Sequence, residues 1–168
     1  MVEARYGLEV ADRILEESEL PSGGSYTAVG TYSFNEMLEL ITHLSAASGV
    51  PTSDLLYIFG KHLYFGLSKA HPQVVKSYRN PLDLIASIED HIHMQVIKLY
   101  PDAALPTFSI VDKSPNRLVV IYHSERALYR LAEGLMESAY VDFGRKCTIV
   151  YELLEPGGTR VKFTITED

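Results

Sequence analysis

The hydrophobic pattern of this 168-residue chain changes period near Pro101, and that change limits the folds it can adopt. Before Pro101, apolar residues recur at three- and four-residue spacing, which is typical of amphipathic helices. After it, two pairs of short β-branched runs flank one helical stretch. Each pair is joined by a turn signal and so predicts an antiparallel hairpin. The predicted fold class is therefore α+β: a helical N-terminal part followed by a four-stranded antiparallel sheet with a covering helix.

The helical part is predicted to span about residues 1–100 and the sheet-containing part about residues 101–168. A chain of this length can bury one sizeable core, so a single domain is expected. The apolar spacing of Leu8, Val10, Ala11, Ile14 and Leu15 predicts a first helix, and an S-x-x-E capping box at Ser33 predicts the start of a second. Further helices are predicted over residues 53–67, from Pro81 to Tyr100, and from Glu125 to about Asp142. Strands are predicted over residues 107–112, 117–122, 147–154 and 160–166, and a loop rich in Gly, Ser and Thr is predicted over residues 19–32.

Charge and cysteine content exclude several classes of protein. The formal net charge of −7 argues against broad electrostatic binding to nucleic acid, which depends on neutralising phosphates with Lys and Arg. Cys147 is the only cysteine, so neither an internal disulfide nor a cysteine zinc cluster can form. No apolar stretch approaches the ~18 residues of a membrane span, and no signal peptide is apparent. We expect a cytoplasmic protein.

His93 lies on the predicted helix that ends at Tyr100, beside an apolar stripe. The stripe consists of Leu84, Ile85, Ile88, Ile92, Val96 and Leu99. His91 is two positions away, about 200° around an α-helix, so the two rings cannot bind one metal ion together. One interpretation of His93 is a half-buried histidine with a satisfied ring. The other is a neutral imidazole that serves as an axial ligand to haem iron beside an apolar space.

Residues 122–126 read YHSER, where a β-rich run gives way to a helical one. Tyr122 and Ser124 project to the same face of a strand, and Arg126 is predicted in the first turn of the next helix. The helix dipole disfavours a cation there. Either these residues are a structural trio of strand tyrosine, N-cap serine and solvated arginine, or they form an anion clamp suited to a carboxylate.

Taken together, these segments resemble the H-NOX family, the haem-nitric oxide/oxygen binding domains, in its bacterial stand-alone form. Tyr122, Ser124 and Arg126 match its Y-x-S-x-R motif. The segment DHIHMQ resembles the one with the proximal histidine, which falls on His93, and KLYPDAALPTF resembles the connection that contains a haem-contacting proline, at Pro106. The order of helical and hairpin segments is also similar, so the resemblance covers nearly the whole chain.

The resemblance implies a role for each matching residue. His93 would be the axial ligand to the iron of ferrous haem b, which would lie between the helical and sheet-containing parts. Tyr122, Ser124 and Arg126 would bind the two propionates. Pro106 would press on the porphyrin, which in this family is bent out of plane.

The resemblance also implies which gas is sensed. Oxygen-binding members of the family have a distal tyrosine that donates to bound dioxygen, and Leu131 stands at that position here. Leu67 stands where some members have a distal phenylalanine, and Tyr129 is about 200° from Leu131 on the helix, so it should not replace the donor. We therefore expect a nitric oxide sensor, also able to bind CO, without catalytic activity.

The family's stand-alone domains regulate a histidine kinase or a cyclic-di-GMP synthase or phosphodiesterase, so partners of these classes are implied. Nitric oxide binding would weaken the bond between iron and His93 and change the surface that the partner contacts. Two alternatives remain: a haem-free module that binds an apolar carboxylate in the same pocket, and an oxygen-binding haem sensor or haem enzyme. Family members usually begin with a short segment ahead of this start, which implies a shortened N-terminus at Met1. A family zinc site is not expected with Cys147 alone.

Overall fold

The computed structural model describes residues 1–27 and 30–168. The chain divides into two compact units, Met1–Phe59 and Gly60–Asp168. The loop that the sequence predicts between residues 19 and 32 includes Ala28 and Val29, which lie outside the described residues. No helix in the described part of the chain is long and apolar enough to cross a bilayer.

The first unit is helical. It contains α1 (Val2–Tyr6), α2 (Leu8–Glu17), α3 (Phe34–Ser48) and the start of α4 (Thr52–Ala70). Its buried core is formed by Ile14, Leu44 and Leu55. The predicted apolar face of the first long helix is confirmed only in part, because Ala11 and Ile14 are buried whereas Leu8 is 62% exposed.

Only one of the two hydrogen bonds of the capping box predicted at Ser33 is formed. The Ser33 side chain caps α3 by accepting a hydrogen bond from the backbone N–H of Asn35. Glu36 does not bond back to Ser33; its buried carboxylate instead accepts hydrogen bonds from the hydroxyls of Ser22 and Tyr26. The predicted box is therefore wrong at Glu36, because two hydroxyl donors from the preceding loop take the carboxylate.

The second unit begins with the remainder of α4 and continues through short helices. These are α5 (Pro72–Lys76), α6 (Pro81–Ala86), a π-helix (Ile88–His93) and α7 (Met94–Leu99). Asn80 caps α6 by accepting from the backbone N–H of Asp83 and is followed by Pro81 at the first helical position, as predicted. The predicted end of the helical run is confirmed, since α7 ends at Leu99 and Tyr100 is its C-cap.

The rest of the second unit is an antiparallel sheet covered by one long helix. The strands are β1 (Thr107–Ser114), β2 (Arg117–His123), β3 (Cys147–Leu153) and β4 (Arg160–Glu167), and α8 (Tyr129–Asp142) lies between the two hairpins in the chain. The order in the sheet is β1-β2-β4-β3, so the two hairpins pair through β2 and β4. The predicted α+β class and both hairpins are confirmed.

One face of the sheet packs on α8. Alternate residues of the central strands point to this face and are buried, namely Leu118, Val120, Tyr122, Val161, Phe163 and Ile165. From α8 the same core receives Ala132, Met136, Ala139 and Tyr140. Tyr122 therefore belongs both to the core and to the end of β2, where the cavity described next begins.

Candidate functional site

A cavity of about 540 Å³ lies within the second unit. This volume is in the usual range of sites for small molecules and cofactors. Its wall is mostly apolar, and every residue of the stripe predicted beside His93 contributes to it. The stripe lines the cavity as a whole, but it is not uniformly buried, since Leu99 is 64% exposed.

All seven residues that the sequence singles out line this one cavity. They are Leu67, His93, Pro106, Tyr122, Ser124, Arg126 and Leu131. They come from four parts of the second unit: α4, the π-helix, the segments at the ends of β1 and β2, and α8. The fold therefore brings together side chains that are up to 64 positions apart, as Leu67 and Leu131 are.

His93 is the last residue of the π-helix, and its side chain is 15% exposed. Its Nδ1 atom is buried without a hydrogen-bond partner among the described residues and lies 3.5 Å from Glu89 Oε2, so Nε2 is the ring nitrogen on the side away from that carboxylate. Burial lowers the pKa of His93, while the nearby carboxylate of Glu89 acts in the opposite direction. The lowered pKa favours the neutral imidazole, which is the form that binds a metal.

The helix around His93 differs from the continuous α-helix predicted between Pro81 and Tyr100. The carbonyl of Ser87 accepts from the N–H of both His91 (2.9 Å) and Ile92 (3.3 Å), so the hydrogen bonding changes from i+4 to i+5 spacing there. The Ser87 hydroxyl donates to Leu84 O and also contacts the Tyr78 hydroxyl. These bonds replace regular α-helical geometry at Ser87, and π-helical turns of this kind are frequent at functional sites.

His91 does not share the site with His93. Its Nδ1 atom forms a short hydrogen bond with the Tyr78 hydroxyl. The prediction that the two histidines cannot bind one metal ion together agrees with this arrangement. Among residues 1–27 and 30–168, no group of three or more His, Cys, Asp or Glu side chains is arranged to hold a metal ion.

The second polar group of the cavity is formed by Tyr122, Ser124 and Arg126. The buried Tyr122 hydroxyl accepts a hydrogen bond from the backbone N–H of Leu128 at 2.9 Å. The Ser124 hydroxyl accepts from the backbone N–H of Arg126 at 3.2 Å. Burial raises the pKa of Tyr122, so the phenol is neutral in the folded protein, and hydrogen bonds with Ser124 and Leu128 act against this rise.

Helix α8 begins at Tyr129, not at Glu125 as predicted. Ala127 has a φ of 49°, in the left-handed region, and its N–H donates to the Ser124 carbonyl. This turn ends the strand before the helix can begin, and the Tyr122 hydroxyl holds Leu128 just ahead of it. Arg126 is therefore outside the helix, and Ser124 is not its N-cap. The unfavourable contact with the helix dipole expected for Arg126 therefore does not arise. Arg126 still lines the cavity.

The apolar wall includes the two positions compared with distal residues of the family. Leu67 on α4 and Leu131 on α8 both face the cavity. Tyr129 packs against Tyr151, with ring centroids 5.2 Å apart, and is not one of the described cavity-lining residues. Tyr64 does line the cavity, but its hydroxyl donates to Asp142 Oδ2 at 3.0 Å.

Phe108 is a site residue that sequence reasoning missed. Its ring packs between those of His93 and Tyr122, with centroid distances of 5.9 and 5.6 Å. Phe108 pairs with Tyr122 in the sheet only because β1 has an irregularity between Ile110 and Asp112 that shifts the register by one residue. Counting back from the turn would pair Phe108 with His123, and such a bulge leaves no clear sequence signal.

These residues fit a large, flat, apolar group with acidic substituents. The apolar wall can enclose the flat body, His93 offers a neutral nitrogen ligand, and Arg126 with the two hydroxyls can bind carboxylates. Haem has these features, so the donor set agrees with the cofactor that the family resemblance implies.

Comparison with known proteins gives a family and a set of similar structures. A family model described as Haem-NO-binding matches residues 1–151. The unliganded Fe(II) H-NOX protein from K. algicida is similar with a TM-score of 0.96 and 42% identity, over 99% of this chain and 90% of that chain. No curated protein matches the chain.

Two further similar structures contain bound gases. The H-NOX protein from S. oneidensis in the Fe(II)NO ligation state has a TM-score of 0.91 and 28% identity, over 100% of this chain and 93% of that one. The IWP-051-bound H-NOX from Shewanella woodyi in the Fe(II)CO ligation state has a TM-score of 0.84 and 36% identity, over 99% of this chain and 88% of that chain.

Proposed function

Because the chain belongs to the haem-NO-binding, or H-NOX, family of gas-sensing domains, we propose that it is a haem-based nitric oxide sensor formed by residues 1–168 as one functional domain. One observation supports this most strongly: His93 and the Tyr122-Ser124-Arg126 group line the same mainly apolar cavity. An axial ligand and a carboxylate-binding group are the two polar elements that a haem pocket needs.

Five cavity residues have a proposed role in holding haem b. His93 supplies its Nε2 atom as the axial ligand, and the lowered pKa keeps the imidazole neutral. Arg126, Ser124 and Tyr122 bind the propionates, with the guanidinium providing the charge-assisted bonds. Pro106, in the segment before β1, presses on the porphyrin.

The apolar distal wall favours nitric oxide over dioxygen. When bound, haem would supply a ferrous iron that takes nitric oxide as a ligand, and His93 would hold that iron through a bond that the gas can weaken. Bound dioxygen has partial negative charge and needs a hydrogen-bond donor, whereas nitric oxide and CO depend on one much less. Leu131 and Leu67 offer no donor, and the Tyr64 hydroxyl already donates to Asp142.

The signal begins at the π-helix. Loss of the iron–His93 bond would remove a restraint on this segment, so the π-helix and α7 would relax and the surface around them would change. We propose that a cytoplasmic histidine kinase or a cyclic-di-GMP synthase or phosphodiesterase responds to that change, and that this chain itself has no catalytic activity. We do not propose nucleic acid as a partner, since the net charge is −7, nor a membrane, since no helix of the described residues is long and apolar enough to span one.

An absorption spectrum of the reduced, haem-reconstituted protein tests the proposal. We expect a Soret band of five-coordinate ferrous haem that shifts when nitric oxide is added and forms no stable complex in air. A stable spectrum of the oxygen complex in air would contradict selectivity for nitric oxide. Absence of any Soret band after reconstitution would instead favour the haem-free module that binds an apolar carboxylate.

The axial role of His93 is tested by His93→Gly. This variant should lose the five-coordinate ferrous spectrum and regain it when imidazole is added, because the free ligand can enter the space left by the side chain. His43→Gly is the control, because its ring lies beside Glu17 and Glu39 and it is not among the described cavity-lining residues. A wild-type spectrum for His93→Gly without imidazole would exclude His93 as the ligand.

A further inference from the structure

Glu89 lies one turn before His93, and its carboxylate is the acidic group beside the imidazole. The Glu89 Oε2 atom is 3.5 Å from His93 Nδ1. The same oxygen accepts a hydrogen bond from the backbone N–H of Phe108 at 2.9 Å. One carboxylate therefore joins the π-helix, which positions His93, to the start of β1.

We propose that Glu89 is a positioning residue for His93: its carboxylate accepts a hydrogen bond from Nδ1–H when Nε2 binds iron, and so sets the strength of the iron–histidine bond. This inference rests on the proposed haem-binding role of His93. The strength of the iron–His93 bond would then depend on Glu89, a residue that is not among the described cavity-lining residues.

The need for an acceptor follows from the protonation of the ring. An imidazole that binds a metal through Nε2 has its proton on Nδ1, which then requires a hydrogen-bond acceptor. Nδ1 of His93 is buried and without a hydrogen-bond partner among the described residues. Glu89 is close enough to become that partner after a shift of a few tenths of an ångström, since hydrogen bonds of this type are about 2.7–3.2 Å long.

The position of the carboxylate is fixed from the side of the sheet. The bond from Phe108 N–H holds Glu89, and the Phe108 ring packs on the ring of His93 with centroids 5.9 Å apart. The carboxylate and the imidazole are therefore held against the same residue of β1. This arrangement restricts the orientation of the ring about its axis, which is what partners of metal-bound histidines do.

The charge of Glu89 adds to this positioning. A carboxylate acceptor makes the imidazole a stronger donor to a metal, and loss of such a partner typically weakens metal affinity about 10- to 100-fold. The Glu89 side chain is 42% exposed, so solvent screens part of its charge. We therefore expect an effect at the lower end of that range.

Two substitutions separate charge from contact in the haem-reconstituted protein. Glu89→Gln keeps an oxygen acceptor and nearly the same shape, while Glu89→Leu removes acceptor and charge. The iron–histidine stretching frequency, measured by resonance Raman spectroscopy of the ferrous protein, should fall in both variants and further in Glu89→Leu. Haem transfer to excess apomyoglobin should be roughly tenfold faster for Glu89→Leu, with Glu89→Gln between it and the wild type.

Asp90→Asn is the matched control for charge. It removes the same charge from the next, exposed position of the π-helix. Its stretching frequency and rate of haem transfer should equal those of the wild type. Equal shifts in Asp90→Asn and Glu89→Gln would overturn the proposal, since they would indicate a general charge effect.

A measurement on the haem-free protein gives an independent readout. Nitrogen-15 NMR of the histidine rings distinguishes the Nδ1–H from the Nε2–H tautomer, and His93 should shift toward the Nε2–H form in Glu89→Leu. His43, whose Nε2 is 3.7 Å from Glu39 at the same i, i+4 spacing, provides an internal reference that should not change.

The outcomes distinguish this inference from the proposed function. A normal Soret band with unchanged stretching frequency and tautomer in both Glu89 variants would overturn the role of Glu89 alone. A wild-type protein that takes up no haem would overturn the proposed function, and the Glu89 role with it.

Discussion

Helices α4 and α8 come close together where Gly60 meets the backbone of Leu131. A Cβ atom at Gly60 would lie 2.2 Å from the Leu131 carbonyl oxygen, so no side chain larger than hydrogen fits without movement of the backbone. Two hydrogen bonds join the same helices, from Lys61 to Glu137 and from Tyr64 to Asp142, each 3.0 Å long. The absence of a side chain at Gly60 thus allows the backbone of Leu131, a cavity-lining residue, to lie close to α4.

Gly60→Ala should destabilise the protein, because the added methyl group overlaps a backbone atom that cannot rotate away. We expect a loss of about 1–3 kcal/mol in the free energy of unfolding, measured by urea denaturation. Gly66→Ala on the same helix is the control, since nothing lies within 4 Å of its added methyl group. That variant should be unchanged or stabilised by up to about 1 kcal/mol, and equal behaviour of the two would refute the close approach.

Arg126→Ala should accelerate haem loss, because in the proposed site the guanidinium provides the charged contacts to the propionates. Loss of charge-assisted bonds worth about 1.5–3 kcal/mol predicts an increase of roughly 10- to 100-fold in the rate of transfer to apomyoglobin. The rate of haem transfer for Arg126→Lys should lie between those of the wild type and Arg126→Ala, because lysine keeps the charge but not the forked geometry. Tyr122→Phe differs: it removes the acceptor for Leu128 N–H and should also destabilise the haem-free protein by about 1 kcal/mol.

Leu131→Tyr should slow oxidation of the reduced protein in air, because the tyrosine hydroxyl adds a donor to the apolar wall. The contact with Gly60 involves the backbone oxygen of Leu131, so the substitution leaves it in place. Leu131→Phe is the matched control, with the ring but without the hydroxyl. Absorption spectra recorded over time in air measure the difference, and equal rates in both variants would show that a missing donor is not the determinant.

Cys147 should react slowly with alkylating reagents. Burial raises the pKa of its thiol from 9.0 to about 11, with repulsion from Glu137, Asp168 and Glu167 adding to the rise. The thiolate is then about a hundredfold scarcer than in an unfolded chain at pH 8, and the rate of reaction with iodoacetamide should fall by a similar factor. Similar rates in folded and urea-unfolded protein would contradict this.

The same shift has a consequence for stability at alkaline pH. Because the folded state binds the thiol proton more tightly, the contribution of Cys147 is fully present below pH 9 and is lost as the pH rises through about 11. Cys147→Ala should therefore lose less stability than the wild type between these values. Denaturation curves at both pH values provide the measurement.

The sequence predicts the second unit well where local pattern and turn chemistry agree. All four strands end within two residues of their predicted limits, because alternating β-branched residues and short turns define a hairpin locally. The family resemblance, based on His93, Pro106 and the Y-x-S-x-R motif, is confirmed by the family match. The same residues share one cavity, although their individual roles remain predictions.

The predictions fail where a hydrogen bond from a residue elsewhere in the chain changes the type or the start of a helix. The α-helix predicted through His93 becomes a π-helix because the Tyr78 hydroxyl bonds to both Ser87 and His91. Helix α8 begins four residues late because the Tyr122 hydroxyl holds Leu128 N–H and Ala127 adopts a positive φ. Periodicity reports only neighbours along one element, so it cannot include a donor or acceptor that arrives from elsewhere.

The sequence by itself determined the class of fold, the family and the residue types available for a haem site, because hydrophobic period, turn residues and motif spacing are local properties. The tertiary structure alone decided how those residues meet. The register shift in β1 places Phe108 opposite Tyr122 and against His93, and Phe108 N–H holds Glu89 beside the imidazole. These contacts depend on strand pairing and on helix geometry over many residues, and no single segment of the chain encodes them.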